Sequence, residues 1–194
     1  MNYPNGKKFT TAAIKENKRK ITVDNFGNRG MGLEGDINLS NNFYNETKRA
    51  LIYKRPTPIK VLKMDKVDKS KITEGFFSSK STTDYNGVYK GRYLDFEAKE
   101  TISRTSFPIA NIRTQQITHL KSVIEQKGIA FFIIRMKAYN ETYLLDAKHI
   151  ITFCENAERK SIPYIFIKDN GCLIKESFSP RIMYLDAVDK VFFN

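Results

Sequence analysis

The sequence lacks a long apolar run and contains only two cysteines among its 194 residues. No stretch approaches the roughly 20 consecutive apolar residues that a membrane-spanning helix needs, so we expect no membrane partner. No apolar segment follows the first polar residues, which argues against a secretory signal. Cys154 and Cys172 lack the spacing of a metal site and favour a reduced, cytoplasmic protein, although the sequence leaves a disulfide between them open.

Positive charge is what the chain has in excess. Its 33 Lys and Arg residues exceed its 21 Asp and Glu residues, which gives a formal net charge of +12. Such an excess attracts polyanions, usually nucleic acid or an anionic membrane surface, and here we favour nucleic acid. Hydrophobic residues make up 41% of the chain, which is enough for a core, and the length suits one elaborated domain.

The order of polar and apolar stretches predicts one folded domain behind a mobile arm. Residues 1–28 are polar and basic, with too little apolar area to offset the cost of ordering them. Residues 29–194 alternate between helix and strand patterns, which predicts an α/β fold with a mixed central β-sheet flanked by helices. Predicted helices are 33–48, 113–127, 147–159 and 184–192, with Gly128 as the cap that ends the second. Predicted strands are 50–53, 72–77, 84–89, 92–99, 129–134, 142–145 and 165–167, and the wholly apolar run 129–134 is expected at the centre.

A long basic β-hairpin is predicted to project from the body at about residues 58–80. Apolar residues and lysines partly alternate over 59–64, a second extended run follows at 72–77, and a charged stretch lies between them. Five of its six lysines are candidate DNA contacts, namely Lys60, Lys63, Lys66, Lys69 and Lys71. A flexible hairpin of this kind suits contact with phosphate groups, although by itself the pattern is more typical of a solvated loop.

Asp84, Glu97 and Lys99 form the pattern that carries chemistry. Side chains of a strand alternate between its faces, so Glu97 and Lys99 project from the same face, and a turn at residues 90–91 brings Asp84 back beside Glu97. Adjacent carboxylates repel each other unless a cation lies between them, and such oxygen ligands suit Mg²⁺ or Mn²⁺. Lys99 could then orient water or stabilise the transition state of phosphodiester hydrolysis. The pattern is short, however, and taken alone it is more often an exposed ion pair.

Several segments together resemble the RecU family of Holliday junction resolvases, within the PD-(D/E)XK nuclease superfamily. The matching segments are Tyr3-Pro4-Asn5-Gly6-Lys7, Asn28-Arg29-Gly30-Met31, Leu33-Glu34, Lys54, Pro56-Thr57-Pro58, Ser81-Thr82-Thr83-Asp84-Tyr85-Asn86-Gly87, Asp95-Phe96-Glu97-Ala98-Lys99-Glu100-Thr101, Thr105-Ser106-Phe107-Pro108 and Pro180-Arg181. The resemblance implies a restriction-endonuclease-like fold and a homodimer that cuts four-way DNA junctions in recombination and repair. It also implies that the hairpin is the family's protruding stalk, and that the recombinase RecA is a candidate partner.

The resemblance implies a role for each matching residue of the site. Asp84 and Glu97 match the metal-binding carboxylates, and Lys99 matches the lysine that stabilises the transition state. Thr82 matches a further metal-site position, through its backbone or hydroxyl oxygen. Gln116 matches a metal-site glutamine on a helix, because the Gln-x-x-His spacing favours it over Gln115. The expected ion is Mg²⁺, with Mn²⁺ as an alternative.

Other residues have both a functional and a structural interpretation. The resemblance gives Arg29 a role with DNA or RecA, whereas the structural interpretation is a solvated arginine near a helix start. Glu34 either faces the site or stabilises a helix start as acids commonly do. His119 and His149 are expected to be structural, since metal-assisted hydrolysis needs no histidine.

The sequence departs from the family pattern at two places, and three other functions stay open. The stalk is slightly short and has residues 65–68 where the family often has Tyr-Pro, and residues 113–115 stand where histidines are common. The alternatives are a non-catalytic junction-binding modulator of RecA, a related nuclease for another DNA substrate, and a basic RNA-binding protein. The intact Asp84, Glu97 and Lys99 argue against the first, and the stalk argues against the second. An RNA-binding signature is missing for the third.

Overall fold

The protein is described from a computed structural model, which covers residues 32–78, 82–156 and 158–193. These residues belong to one compact unit. The predicted arm over 1–28 and Arg29 lie outside the described residues. No helix in the covered ranges is long and apolar enough to cross a membrane, and both cysteines are free thiols.

A six-stranded mixed β-sheet forms the centre of the fold. The strands of the molecule are β1 (Leu51–Lys54), β2 (Ile59–Met64), β3 (Ile72–Phe77), β4 (Tyr85–Tyr89), β5 (Arg92–Thr101), β6 (Ser106–Pro108), β7 (Ile129–Met136), β8 (Glu141–Asp146), β9 (Ser161–Pro163) and β10 (Cys172–Leu173). The central sheet has the order β1-β4-β5-β7-β8-β10. Strands β5 and β7 run parallel, and the other neighbours in this sheet are antiparallel.

Helices cover both faces of the sheet. They are α1 (Leu33–Glu46), α2 (Thr114–Glu125), α3 (Ala147–Asn156), α4 (Tyr164–Asn170) and α5 (Tyr184–Phe192). One core joins α1 and α5 to residues such as Phe96 and Phe131 of the sheet, and the other joins α2, α3 and α4 to residues such as Phe132. All eight residues of β7 are therefore buried, as expected for a strand covered on both sides. The predicted mixed α/β architecture is confirmed.

Two local predictions are wrong. Residues 165–167 belong to α4 rather than to a strand, because only Ile167 is buried while Ile165 is exposed, which is not the pattern of a core strand. Gly128 does not take the left-handed conformation that ends α2. Lys127 does so, with φ of 64°, and Gly128 is small because a Cβ there would lie 2.7 Å from Cγ1 of Val123.

The predicted projecting hairpin is present as β2 and β3. These strands pair with each other in a separate two-stranded sheet, and all of their residues are exposed. Two aspartates build the tip: Asp65 Oδ1 accepts hydrogen bonds from the backbone N–H groups of Val67 and Asp68, and Asp68 Oδ1 accepts from Ser70. Such side-chain turns are a common use of aspartate in loops. We call residues 58–78 the stalk.

Candidate active site

The β4–β5 hairpin places Asp84 beside Glu97. Tyr85 pairs with Phe96 in its register, so Asp84, the residue before β4, lies opposite Glu97. Asp84 Oδ2 accepts a hydrogen bond of 3.1 Å from the backbone N–H of Ala98. Nζ of Lys99 lies 2.5 Å from Oε1 of Glu97. The structure therefore brings the three predicted residues to one place on the sheet.

Burial and a neighbouring carboxylate both disfavour the charged form of Glu97. Its exposed fraction is 0%. Removal from water, followed by the negative charge of Asp84, raises the pKa of Glu97 to about 7, while the Lys99 ammonium acts in the opposite direction. A carboxylic acid with a pKa near neutrality is a feature of functional sites more often than of surface ion pairs.

Two buried oxygen atoms of residues predicted for this site have no hydrogen-bond partner among the described residues. They are Oε2 of Glu97 and Oγ1 of Thr82. An orphaned buried oxygen is costly unless something binds it, and a carboxylate oxygen beside a second carboxylate fits a divalent cation. Across the described ranges no group of three or more His, Cys, Asp or Glu side chains could hold a metal. A cation here would have two carboxylates and neutral oxygens as ligands, which fits the preference of Mg²⁺ for few protein ligands and several waters.

Gln116 lies against Glu97 from the first turn of α2. Its Nε2 donates a hydrogen bond of 2.6 Å to Oε1 of Glu97, and its Oε1 accepts one of 3.0 Å from the backbone N–H of Arg113. The amide thus orients the carboxylate while its oxygen satisfies a free N–H at the helix start. Gln116, the predicted glutamine, thus contacts the site, and its predicted role as a metal ligand stays a prediction.

Sequence reasoning missed a second buried carboxylate, Asp95, on the same face of β5. Its Oδ2 lies 2.6 Å from Nη2 of Arg55, 2.8 Å from the Tyr93 hydroxyl and 2.8 Å from Nε2 of His119. Its Oδ1 accepts a hydrogen bond from the hydroxyl of Thr83. The two-residue step from Glu97 was the available signal, since residues 95 and 97 of one strand share a face. His119, expected to be structural rather than a base, contacts this carboxylate.

The sequence matches the family described as Recombination protein U, or RecU, over residues 28–190. The chain belongs to the RecU family. It is 50% identical to the Holliday junction resolvase RecU of Oceanobacillus iheyensis, with 100% of each chain covered. It is 45% identical to the same protein of Bacillus cytotoxicus, with 99% of this chain and 98% of that one covered. A solved structure of Archaeoglobus fulgidus Hjc, a Holliday junction resolvase, covers 70% of this chain and 93% of its own at 9% identity and a TM-score of 0.41, a likeness too low to support a conclusion.

Glu34 and the stalk lysines, which are predicted residues that the structure describes, lie away from the carboxylates. Glu34 forms an exposed ion pair with Lys54 and does not contact Asp84 or Glu97. On the stalk, Lys63 pairs with Glu74 at 2.6 Å, and the ammonium of Lys60 lies 5.9 Å from the ring centre of Phe76. Three further stalk lysines form no ion pair within the described parts of the chain: Lys66, Lys69 and Lys71.

Proposed function

We propose that this chain is a metal-dependent endonuclease that cuts four-way DNA junctions in recombination and repair. The observation that carries the proposal is the orphaned Oε2 of Glu97, buried beside Asp84 and within reach of Lys99. Full-length relatives at 45% and 50% identity carry the name Holliday junction resolvase, which supports the choice of substrate. The net charge of +12 supports a nucleic-acid partner.

Each side chain of the site has a part in the proposed hydrolysis. Asp84 and Glu97 would hold Mg²⁺, or Mn²⁺ in its place, with an oxygen of Thr82 as a further ligand. The cation, when bound, offsets negative charge on the phosphate and makes water more acidic. Lys99 orients the attacking water or stabilises the charge that develops on the phosphate in the transition state. Gln116 keeps the carboxylate of Glu97 in one orientation through the hydrogen bond to its Oε1.

The stalk supports a preference for branched DNA. Its residues are exposed on both strands, and its tip presents Lys66, Lys69 and Lys71 without ion-pair partners in the described structure. A narrow basic projection can enter the open centre of a four-way junction, where phosphates approach from several arms. A nuclease for plain duplex has no need of such a projection.

A homodimer is part of the proposal, because two related cuts in a two-fold symmetric junction call for two related sites. Leu51, Tyr53 and Val88 support it. They lie on the sheet face that carries Glu97, are about half exposed, and do not belong to the core formed with α2, α3 and α4. An exposed apolar sheet face of this kind is typical of a protein interface. A cytoplasmic location and modulation of RecA complete the proposal on the family resemblance alone.

The deciding experiment compares the wild type with Asp84→Asn and Glu97→Gln on labelled four-way junction, linear duplex and single strand. We expect paired nicks on the junction alone, with Mg²⁺ or Mn²⁺ and not with chelator. Both variants should bind the junction with near wild-type affinity and lose nicking by a factor on the order of 10³ or more. Binding without nicking by the wild type would favour the non-catalytic alternative, and equal cutting of linear duplex would favour a nuclease with another substrate.

A further inference from the structure

The two chain segments that connect the stalk to the body meet at one buried carboxylate, Asp95. Arg55 lies on the segment that leads into the stalk, and Thr83 lies on the segment that returns from it. The guanidinium of Arg55 donates to Oδ2 of Asp95 at 2.6 Å, and the hydroxyl of Thr83 donates to Oδ1. Asp95 is 0% exposed, so these protein partners, and not water, must stabilise its carboxylate.

The same segments carry the oxygens of the candidate metal site. Thr83 stands between Thr82 and Asp84 in the chain, and the backbone N–H of Arg55 donates a hydrogen bond of 2.7 Å to the carbonyl oxygen of Asp84. The position of Asp84 is therefore fixed by the two residues that Asp95 holds. A carboxylate that orients metal ligands through such indirect contacts commonly affects both metal affinity and rate.

Helix α2 connects Asp95 to Glu97 by a second route. His119 and Gln116 are one turn apart on α2, and each contacts a carboxylate of β5: His119 lies 2.8 Å from Asp95, and Gln116 lies 2.6 Å from Glu97. Residues three apart on a helix share a face, as do residues two apart on a strand. The helix and strand are thus fixed in register by two parallel contacts at the site.

We infer that Asp95 is a positioning residue, which transmits the placement of the stalk to Asp84 and Glu97. This inference rests on the proposed function. When the stalk engages DNA, force on its two connecting segments acts first on Arg55 and Thr83. Both residues donate hydrogen bonds to the carboxylate of Asp95. The metal ligands therefore keep their positions only while that carboxylate binds both segments.

The experiment compares Asp95→Asn with a matched control, Asp36→Asn. Asp36 is similarly buried, at 4% exposure, and binds Arg135 at 2.6 Å and Arg181 at 3.3 Å. It lies on α1, which packs on the opposite face of the sheet. Both variants remove one buried charge that faces arginine, so both should lower the melting temperature. Only Asp95→Asn should also change the chemistry at a temperature where both variants are folded.

Three measurements separate positioning from stabilisation. For Asp95→Asn we expect kcat for junction nicking to fall on the order of 10- to 100-fold with KM little changed. We expect the Mg²⁺ or Mn²⁺ concentration for half-maximal nicking to rise by about 10-fold or more. Without DNA, added Mn²⁺ should raise the melting temperature of the wild type and of Asp36→Asn by more than that of Asp95→Asn.

Thr83 supplies a rescue within the same experiment. Thr83→Val removes the hydroxyl that donates a hydrogen bond to Asp95 and should reproduce the fall in kcat. Thr83→Ser keeps a hydroxyl at this position, so its kcat should be close to that of the wild type. Asp95→Asn matching Asp36→Asn in kcat, metal requirement and Mn²⁺ response would overturn the inference and leave the proposed function intact. Absence of nicking by the wild type would overturn the proposed function instead.

Discussion

Glu97 shows how one carboxyl group responds to its surroundings at the scale of single residues. Burial raises its pKa to about 7, Asp84 acts in the same direction, and the Lys99 ammonium opposes both. The cost of burying this negative charge can be offset in three ways: by protonation, by pairing with Lys99 or by coordination of a cation. Under the proposed function, metal binding and proton binding at Glu97 would compete, since a ligand must be deprotonated to bind a metal.

The first prediction concerns the stability of the metal-free protein as a function of pH. Because the pKa of Glu97 in the folded state, about 7, lies above its ordinary value of 4.5, the folded protein binds one more proton than the unfolded chain between these values. The contribution of this proton to the free energy of unfolding is fully present near pH 4.5 and below. It is lost as the pH rises through 7, and the loss amounts to about 3 kcal/mol at most. The side chain of Glu97→Gln does not titrate. The free energy of unfolding of this variant should therefore increase relative to that of the wild type between pH 5 and pH 8.

Urea unfolding with chelator at pH 5 and pH 8 measures this difference. Glu155→Gln, at an exposed carboxylate on α3, serves as the control and should follow the wild type at both pH values. Adding Mg²⁺ at pH 8 should stabilise the wild type and not Glu97→Gln. Parallel curves for wild type and Glu97→Gln across this range would show that the carboxyl ionises in the folded state as easily as in water.

The sequence located part of this site and not the rest, for a physical reason. Asp84, Glu97 and Lys99 could be predicted to lie together because a short hairpin and the two-residue period of a strand decide their positions. Arg55 and His119 reach Asp95 from other elements, so their contact depends on tertiary packing. The structure shows that Asp95 is buried, and these partners offset the cost of burying its charge.

At the scale of elements, the stalk shows how a turn sequence frees lysines for a partner. Hydrogen bonds from the backbone N–H groups of Asp68 and Val67 lower the pKa of Asp65. Those from the hydroxyl and the backbone N–H of Ser70 lower the pKa of Asp68, so both acids are used for the turn. Neither aspartate forms an ion pair with a lysine in the described structure. Residues 65–68 thus form a compact turn that keeps Lys66, Lys69 and Lys71 accessible.

The second prediction is that these three lysines contribute to junction affinity through phosphate contacts. In the triple variant Lys66→Gln, Lys69→Gln, Lys71→Gln we expect weaker junction binding and a smaller dependence on salt. Each lost phosphate contact reduces the slope of log affinity against log salt by about 0.9, so the slope should decrease by about 2 to 3. The measurement is junction binding by fluorescence anisotropy over a series of salt concentrations.

The matched control for the stalk is the triple Lys→Arg variant at the same positions. Arginine keeps the charge, so both affinity and slope should remain close to the wild type. Melting temperatures of both variants should be unchanged, because the replaced side chains are exposed. A slope that does not change in the glutamine variant would mean that the tip does not touch phosphates.

Elements with a strong period were predictable, and elements set by distant partners were not. Helix α5 spans the predicted residues. The bounds of α1, α2 and β7 lie within two residues of the predicted bounds. Strands β6 and β10 have only three and two residues, too few to show a period. In α4 the buried Ile167 and exposed Ile165 are distinguished only by packing. Local pattern determines long elements, whereas tertiary contacts decide short ones.

At the scale of the whole molecule, a junction with two-fold symmetry constrains how the protein must assemble. The described part of one subunit has one candidate site, on one face of one sheet, so under the proposed function two related cuts would use two subunits. The exposed apolar face around Leu51, Tyr53 and Val88 offers a surface for a second copy. A closed dimer with a two-fold axis would present two sites and two stalks to the same junction.

The last prediction tests this assembly by mixing active and inactive subunits. Differently tagged wild-type and Asp84→Asn chains are co-expressed, and the mixed dimers are purified through both tags. If each subunit cuts one strand, mixed dimers should nick one strand at about the wild-type rate per active site and release few linear products. Only wild-type dimers should make two nicks within the lifetime of one complex. A supercoiled plasmid that carries a cruciform distinguishes the two outcomes, because paired nicks give linear plasmid and a single nick gives a nicked circle.

Two controls make the outcome specific. Light scattering should show a dimer for the wild type and for Asp84→Asn, and Leu51→Glu should shift the wild type toward monomer, because a buried unpaired charge opposes association. The isolated monomer should retain its melting transition and lose paired cleavage. Linear products from mixed dimers at the wild-type rate would mean that one site makes both cuts, and a wild type that is monomeric while it linearises the plasmid would exclude the two-subunit arrangement.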